Sequence, residues 1–170
     1  NGDGLHDHVV IDTLMYSGGT NAPNGLGTPA VVDTDGNGAA DRAYAGDLEG
    51  HLWAFDLSDD DDKNPNWGVD YQESNVPVPL FSAQTPKLDA NGDHEEDAAG
   101  NKKYIPQPIT SKPAIALHSS ALNGTATSQA VPNLMVFFGT GKYLEQSDLK
   151  NFSKQSFYGV WDHGVDKLSR

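Results

Sequence analysis

The chain has 170 residues, enough for one domain with a hydrophobic core of its own. Its 11 Lys and Arg against 24 Asp and Glu leave a formal charge of −13 at pH 7, which excludes a cationic face for nucleic acid or anionic lipid and favours cations as partners. Cys is absent, so disulfides and thiolate metal sites are excluded, and no apolar run approaches the roughly 20 residues that span a bilayer. The sequence opens at Asn1 with neither an initiator Met nor a signal-peptide pattern, so an excised or processed piece of a longer protein is expected.

In chain order, short β-branched or aromatic runs predict strands at 9–11, 30–32, 42–45, 52–55, 114–117, 134–138 and 156–161. Between Tyr44 and Phe55 the chain turns at Gly46-Asp47-Leu48-Glu49-Gly50, and its flanks alternate apolar and polar, which predicts a β-hairpin. Residues 58–66 hold four consecutive aspartates, whose repulsion predicts a solvated loop, and 89–103 is a second polar, loop-like stretch. Only 142–151 has helical spacing, over one or two turns. With 18 Gly and 10 Pro, punctuation is too dense for a helical bundle.

A weak internal repeat organises these strands. Thr28-Pro29-Ala30-Val31 and Lys112-Pro113-Ala114-Ile115 each open a strand, followed by a second ending in Gly46 or Gly139 and a third carrying Trp53 or Trp161 with Asp56 or Asp162 soon after. Recurrent strand sets with Gly and aromatic marks predict an all-β fold, part of a β-propeller with antiparallel blades and long acidic loops. Residues 1–170 are expected to form part of a single propeller domain of a larger protein, with blade-like units at about 27–57 and 107–162. Sheet edges in such a piece call for cover by the rest of the parent or by other chains.

The sharpest chemical signal is Asp33-Thr34-Asp35-Gly36-Asn37-Gly38-Ala39-Ala40-Asp41. Oxygen side chains stand at its first, third, fifth and ninth positions, and Gly stands at the sixth, where a calcium loop of the EF-hand type turns sharply. This spacing predicts Asp33, Asp35, Asn37 and Asp41, with the Ala39 carbonyl, as ligands of one Ca²⁺, a hard ion that takes six to eight oxygens at about 2.3–2.6 Å. Tyr44 occupies the twelfth position in place of a bidentate Glu, so the remaining ligands must be water or a distant residue. A metal-free Asx-turn loop is the competing reading. Asp89 to Asp97 is a weaker echo, with Gly92 and His94 out of register, and reads as a solvated acidic loop. The opening segment, with His6 and His8, reads as a frayed terminus.

No enzymatic constellation stands out. There is no Cys nucleophile and no Ser in a nucleophile-elbow setting. Sequence assigns no partners to His51, His118 or His163, and Gly139-Thr140-Gly141-Lys142 lacks phosphate-loop spacing. The aromatics of the predicted strands read as blade core. Asn123-Gly124-Thr125 and Asn151-Phe152-Ser153 fit the N-glycosylation pattern.

Four blocks in order carry a family resemblance: Gly27 to Leu57 through the loop and hairpin, Gln107 to Pro113, Phe138 to Leu144, and Gln155 to Asp162. Together they resemble the C-terminal propeller domain of PilC/PilY-type type IV pilus tip-associated proteins. The resemblance implies a modified β-propeller of a bacterial surface protein that supports pilus extension and mediates attachment from the pilus tip or outer membrane. It implies pilus components (minor pilins) or a host or surface receptor as partners, calcium at Asp33, Asp35, Asn37, Ala39 and Asp41, and no enzymatic activity. The alternative is a fragment of a quinoprotein-like or integrin-like calcium-binding propeller, since Tyr44 to Leu57 also resembles the repeat of pyrroloquinoline-quinone propellers.

Overall fold

The computed structural model describes residues 10, 11, 13, 24–58, 66–118 and 132–164. Of the sequence expectations, the His-containing opening, Val9 of the 9–11 strand, the aspartates at 59–62 and the Asn123 glycosylation pattern lie outside the described residues. Val10 and Ile11 are described and are not in a strand.

Two antiparallel meanders form the body. In the first, β1 (Ala30–Val32), β2 (Arg42–Gly46) and β3 (His51–Asp56) pair in order. Along its outer edge β3 pairs with β4 (Gly68–Val69) through Phe55 and Asp56, and with β7 (Phe81–Ser82) through His51 and Leu52. In the second, β10 (Ala114–Leu117), β11 (Leu134–Gly139) and β12 (Phe157–Asp162) pair in order. Two small hairpins, β5 (Gln72–Glu73) with β6 (Val76–Pro77) and β8 (Gln84–Pro86) with β9 (Tyr104–Pro106), lie between the meanders in sequence. The helical spacing after Lys142 yields one 3₁₀ turn, Gln146–Lys150. The expected β2–β3 hairpin is present, but its alternation is not: β2 is buried throughout, Arg42 included, and His51 is buried in β3.

The meanders pack face to face. Tyr44, Leu52 and Ala54 from the first sheet meet Leu134, Val136 and Phe138 from the second in one core, into which Ile109 is inserted. Phe81, Phe138 and Tyr158 form an aromatic cluster there, with ring centroids 5.0–6.2 Å apart. The far face of the first sheet is also buried, with Trp53, Phe55, Ala43, Ala45 and Val69 in a second cluster that includes Ile11 at its border.

A buried polar cluster joins the sheets. Asp162, fully buried at the end of β12, accepts hydrogen bonds from Arg42 Nη2 at 2.9 Å, Tyr44 OH at 2.6 Å and Tyr71 OH. Arg42 also pairs with Asp70 at 2.6 Å and donates from Nε to Tyr44 OH at 3.1 Å. Burial opposes the charge on Arg42, but the carboxylates of Asp162 and Asp70 raise its pKa above the ordinary value. Burial, then the Asp162 charge, raises Tyr44; burial and the hydrogen bond to Asp162 raise Tyr71. Both phenols therefore stay protonated and donate. The segment between the sheets is satisfied in the same way: buried Gln107 accepts from Tyr158 OH at 2.7 Å and donates to Lys154 O at 2.8 Å.

One turn recurs three times. At Asp47–His51, Asp89–Asp93 and Asp97–Asn101 the sequence reads Asp-x-x-Gly-x. Each Asp carboxylate accepts backbone N–H groups two and four residues on, and each Gly has φ of 83–88°. The outer two turns, with bridges Leu88–His94 and Glu96–Lys102, extend β8 and β9 into an exposed ribbon. The stretch expected as loop is thus ordered by its own turns, and Glu95 pairs with Lys87 and Lys103 across it at 3.0 and 2.7 Å.

In the first of these turns Asp47 is buried and does more. Its Oδ2 accepts from His51 Nδ1 at 3.0 Å, Trp53 Nε1 at 2.9 Å and Asn24 Nδ2 at 3.0 Å. Burial pushes the carboxyl up, but the hydrogen bonds from His51, Trp53 and Asn24 outweigh it and bring it from 3.8 to about 2. Since the folded value lies below the unfolded one, this stabilisation, about 2 kcal/mol, is complete at neutral pH and is lost as pH falls from about 5 through about 2. Asp47→Asn, itself less stable, should therefore lose less stability than the parent between pH 5 and 2, by roughly that amount. Denaturant titrations at each pH measure it, and parallel pH profiles for the two proteins would contradict the assignment.

Candidate metal centre

The loop 33–41 connects β1 to β2, and their pairing sets its two ends side by side: Val32 lies opposite Arg42, and Asp41 N–H donates to Val32 O at 2.9 Å. The loop must therefore turn back on itself within nine residues, and Gly36 and Gly38, with φ of 80° and 93°, supply the left-handed backbone this needs.

Inside the loop, side chains accept the backbone donors. Asp33 accepts Gly36 N–H at 2.6 Å and Gly38 N–H at 2.8 Å; Asp35 Oδ1 accepts Asn37 N–H at 2.9 Å; Asn37 Oδ1 accepts Ala39 N–H at 2.7 Å. Asn37 Nδ2 donates to Asp35 Oδ2 at 3.0 Å. Asp41 Oδ2 accepts both Thr34 N–H and Thr34 Oγ1–H at 2.6 Å. Thr34, which the spacing of the loop does not single out, thus locks the ninth position to the second. A hydroxyl at that second position is the available signal.

One oxygen each of Asp33, Asp35 and Asp41 lies within 4.8 Å of the others, with Asp33 and Asp35 exposed and Asp41 buried. The N–H groups of Gly38 and Gly36 lower the Asp33 carboxyl, and the hydroxyl and N–H of Thr34 lower Asp41. Both are ionised at neutral pH, so negative charge is concentrated at one point. The donor set is oxygen only, which suits a hard cation, and its span is compatible with bonds of about 2.3–2.6 Å. The hydrogen bonds leave a second lone pair for a metal on the accepting oxygens of Asp33 and Asp35, while at Asp41, whose Oδ2 already accepts twice from Thr34, that role falls to Oδ1. Tyr44, at the twelfth position, is no ligand, because its hydroxyl is committed to Asp162.

The other sequence candidates take structural roles. Asp89 and Asp97 each cap their own turn and stand outside any such cluster among the described residues. His51 bonds Asp47; His118 stacks on Trp161 with centroids 4.2 Å apart, and His163 meets the same ring edge-on at 5.3 Å. Lys142 pairs with Glu145 and Asp148 beside the 3₁₀ turn. Phe137 and Trp161, expected in the core, instead lie on the outer face of the second sheet, where Trp161 is 44% exposed.

Antiparallel meanders stacked face to face, with an acidic oxygen loop between two strands of one of them, define a chain of the β-propeller class. Residues 5–168 match the family model of the PilY1 beta-propeller domain, and the chain belongs to that family. It is 34% identical over 170 residues to the type IV pilus biogenesis factor PilY1 of Pseudomonas aeruginosa strain PAO1, covering 93% of this chain and 12% of that protein. A PilY1 homolog of Xylella fastidiosa is 34% identical over 142 residues, covering 83% of this chain and 8% of the homolog. The crystal structure of the Pseudomonas aeruginosa PilY1 C-terminal domain matches with a TM-score of 0.54 and 32% identity, over 85% of this chain and 27% of that one. The chain thus spans roughly a tenth of the length of these curated relatives. These relatives are pilus biogenesis factors, in agreement with the family resemblance of the sequence. Among the described residues no helix is long and apolar enough to cross a membrane.

Proposed function

We propose that the chain is a calcium-binding part of the propeller of a bacterial type IV pilus assembly and tip-adhesion protein, supporting pilus extension and surface attachment. In this reading residues 1–170 belong to a single propeller of a larger protein, with blade-like units at about 27–57 and 107–162. The protein acts at the cell surface, at the pilus tip or outer membrane. Its partners are pilus components such as minor pilins, or a surface receptor. The observation that carries the calcium assignment is the convergence of Asp33, Asp35 and Asp41 oxygens within 4.8 Å, in a chain whose relatives are pilus biogenesis factors.

Asp33, Asp35, Asn37, Asp41 and the Ala39 carbonyl would hold the ion, and the ion would supply the positive charge that offsets the clustered carboxylates and fixes the loop. Asp41 sits next to Arg42, so ordering the loop also steadies the start of β2, where the two sheets are joined. Calcium can regulate an interaction only if the loaded and unloaded forms differ in affinity for the partner.

Isothermal calorimetry tests the assignment. One calcium ion per chain is expected, with magnesium weaker because it prefers to keep its waters. Asp33→Ala should abolish tight binding. At a calcium concentration near 100 times Kd the parent should gain about 2.7 kcal/mol over chelator, a rise of roughly 5–10 °C in melting temperature. The same rise in Asp33→Ala, or none in the parent, would overturn the calcium assignment.

A further inference from the structure

Asn-Gly is the dipeptide in which a side-chain amide is most open to attack by the next main-chain nitrogen, because Gly has no Cβ to hinder the approach. Among the described residues it occurs at Asn24-Gly25, Asn37-Gly38 and Asn91-Gly92, each with its Asn exposed. The three differ in what holds them. Asn24 is fixed on the buried Asp47: its Nδ2 donates to Asp47 Oδ2, and its Oδ1 accepts the N–H groups of Gly25 and Leu48, all at 3.0 Å. Asn91 lies in a ribbon turn, its Nδ2 at 3.5 Å from Asp89 Oδ2. In the acidic loop Asn37 Nδ2 donates to Asp35, its Oδ1 accepts Ala39 N–H, and Gly38 N–H is given to Asp33. Asp33, Asp35 and Ala39 are all exposed, so opening these bonds to water costs little. A Cβ on Gly38 would meet nothing within 4 Å, which leaves room for the Asn37 side chain to swing onto the Gly38 nitrogen.

We propose that Asn37-Gly38 is a self-modification site guarded by calcium: the unloaded loop converts Asn37 to aspartate and isoaspartate, and the loaded loop does not. The inference rests on the reading, made above, that this loop holds calcium, and extends it to the fate of a loop left without the ion. In the first step the Gly38 nitrogen loses its proton to solvent and bonds to Asn37 Cγ. The Cγ–Nδ2 bond breaks, and Nδ2 takes a proton from water and leaves as ammonia. Water then opens the cyclic imide. Addition at Cγ gives aspartate; addition at the main-chain carbonyl carbon of residue 37 gives isoaspartate, the commoner product, with the chain routed through the side chain. No oxidant or reductant takes part.

The attack requires Asn37 to release Ala39 and Asp35, and Gly38 to release Asp33. Asn37, Asp33 and Asp35 are also assigned calcium ligands, so a bound ion opposes the same movement and modification passes through the unloaded fraction. Its rate then falls by 1 + [Ca²⁺]/Kd, about 100-fold at 100 times Kd. Isoaspartate lengthens the backbone between the fifth and ninth positions and carries Ala39 and Asp41 out of register with Asp33. A chain kept long without calcium therefore loses the site irreversibly.

Peptide mapping by mass spectrometry tests this on the full-length polypeptide that carries the chain, incubated at mildly alkaline pH in chelator or in calcium at 100 times Kd, with calorimetry in parallel. In chelator Asn37 should convert within about tenfold of the rate of Asn91, since its extra exposed hydrogen bonds are weak, while Asn24 persists. In calcium Asn37 should slow about 100-fold and Asn91 should not change. An Asn37 that stays intact in chelator while Asn91 converts, or that converts equally fast in both samples although calorimetry shows calcium bound, would overturn the proposal and leave the calcium reading standing. Absence of calcium binding in the fresh protein would sink that reading, and this inference with it. Protein aged in chelator should lose calcium sites in proportion to its isoaspartate at position 37; undiminished binding by isoaspartate-rich protein would count against the proposal.

Discussion

Arg42→Met should cost roughly 3–5 kcal/mol of stability, because it strips the cation from a buried ionic cluster and leaves its carboxylates behind. Asp162 would keep the hydroxyls of Tyr44 and Tyr71 but lose the positive charge it is bonded to, inside a site where water does not reach. Asp70 would lose the same partner. For a domain of this size each kcal/mol shifts the melting temperature by about 2–4 °C, so a fall of about 10 °C is expected. Arg42→Lys should not rescue it, since an ammonium lacks the fork that reaches Asp70, Asp162 and Tyr44 together. Arg42→Met combined with Asp162→Asn should recover part of the loss, because it removes both charges. A single-mutant cost under about 1 kcal/mol in urea titration would show that the cluster does not hold the sheets together.

Gly50→Ala is expected to be nearly as damaging, and it has a built-in control. Gly50 has φ of 84°, and a Cβ there would stand 2.5 Å from Ala83 O and 2.8 Å from Gln107 O. Those oxygens are fixed main chain: Ala83 N–H donates to Gly50 O at 2.7 Å, and Gln107 N–H to Ala83 O at 2.9 Å. The substitution combines left-handed strain of about 1–2 kcal/mol with overpacking of about 1–3 kcal/mol. Gly100 occupies the same place in the same turn motif, has φ of 83°, and a Cβ added there would meet nothing within 4 Å. Gly100→Ala should therefore cost only the strain. Equal losses at the two positions, measured by thermal melts of both variants, would mean that the close approach at Gly50 relaxes freely.

The long strands are readable because each is a run of β-branched and aromatic residues, and the β2–β3 turn is readable because Asp and Gly punctuate it. The strands from β4 to β9 are not, since two or three residues leave no period to detect. Their signal is in the turns: Asp-x-x-Gly-x, which also occurs at 33 and 35 inside the acidic loop, forms this turn at 47, 89 and 97, yet the last two read as loop because no long apolar strands flank them as they flank the first. Arg42 and Asp162 mislead for a different reason. A charged residue in a strand reads as solvent-facing, and its burial depends on a partner 120 residues away that no local pattern reveals. The candidate site is the most legible part, because its side chains bond within a nine-residue segment and local spacing specifies them. Thr34 escapes notice because its function, holding Asp41, is visible only once the loop has closed.

The distance in sequence between Arg42 and Asp162 also bears on how the chain is made. As the polypeptide emerges from its N-terminal end, the first sheet can form long before Asp162 exists, with its guanidinium held by Asp70 and the Tyr44 hydroxyl. The final lock waits for the last strand, and closing so long a loop carries an entropic cost that slows assembly. During that interval the apolar side of the early sheet stands open, which makes this the period when a nascent chain most needs protection from its neighbours.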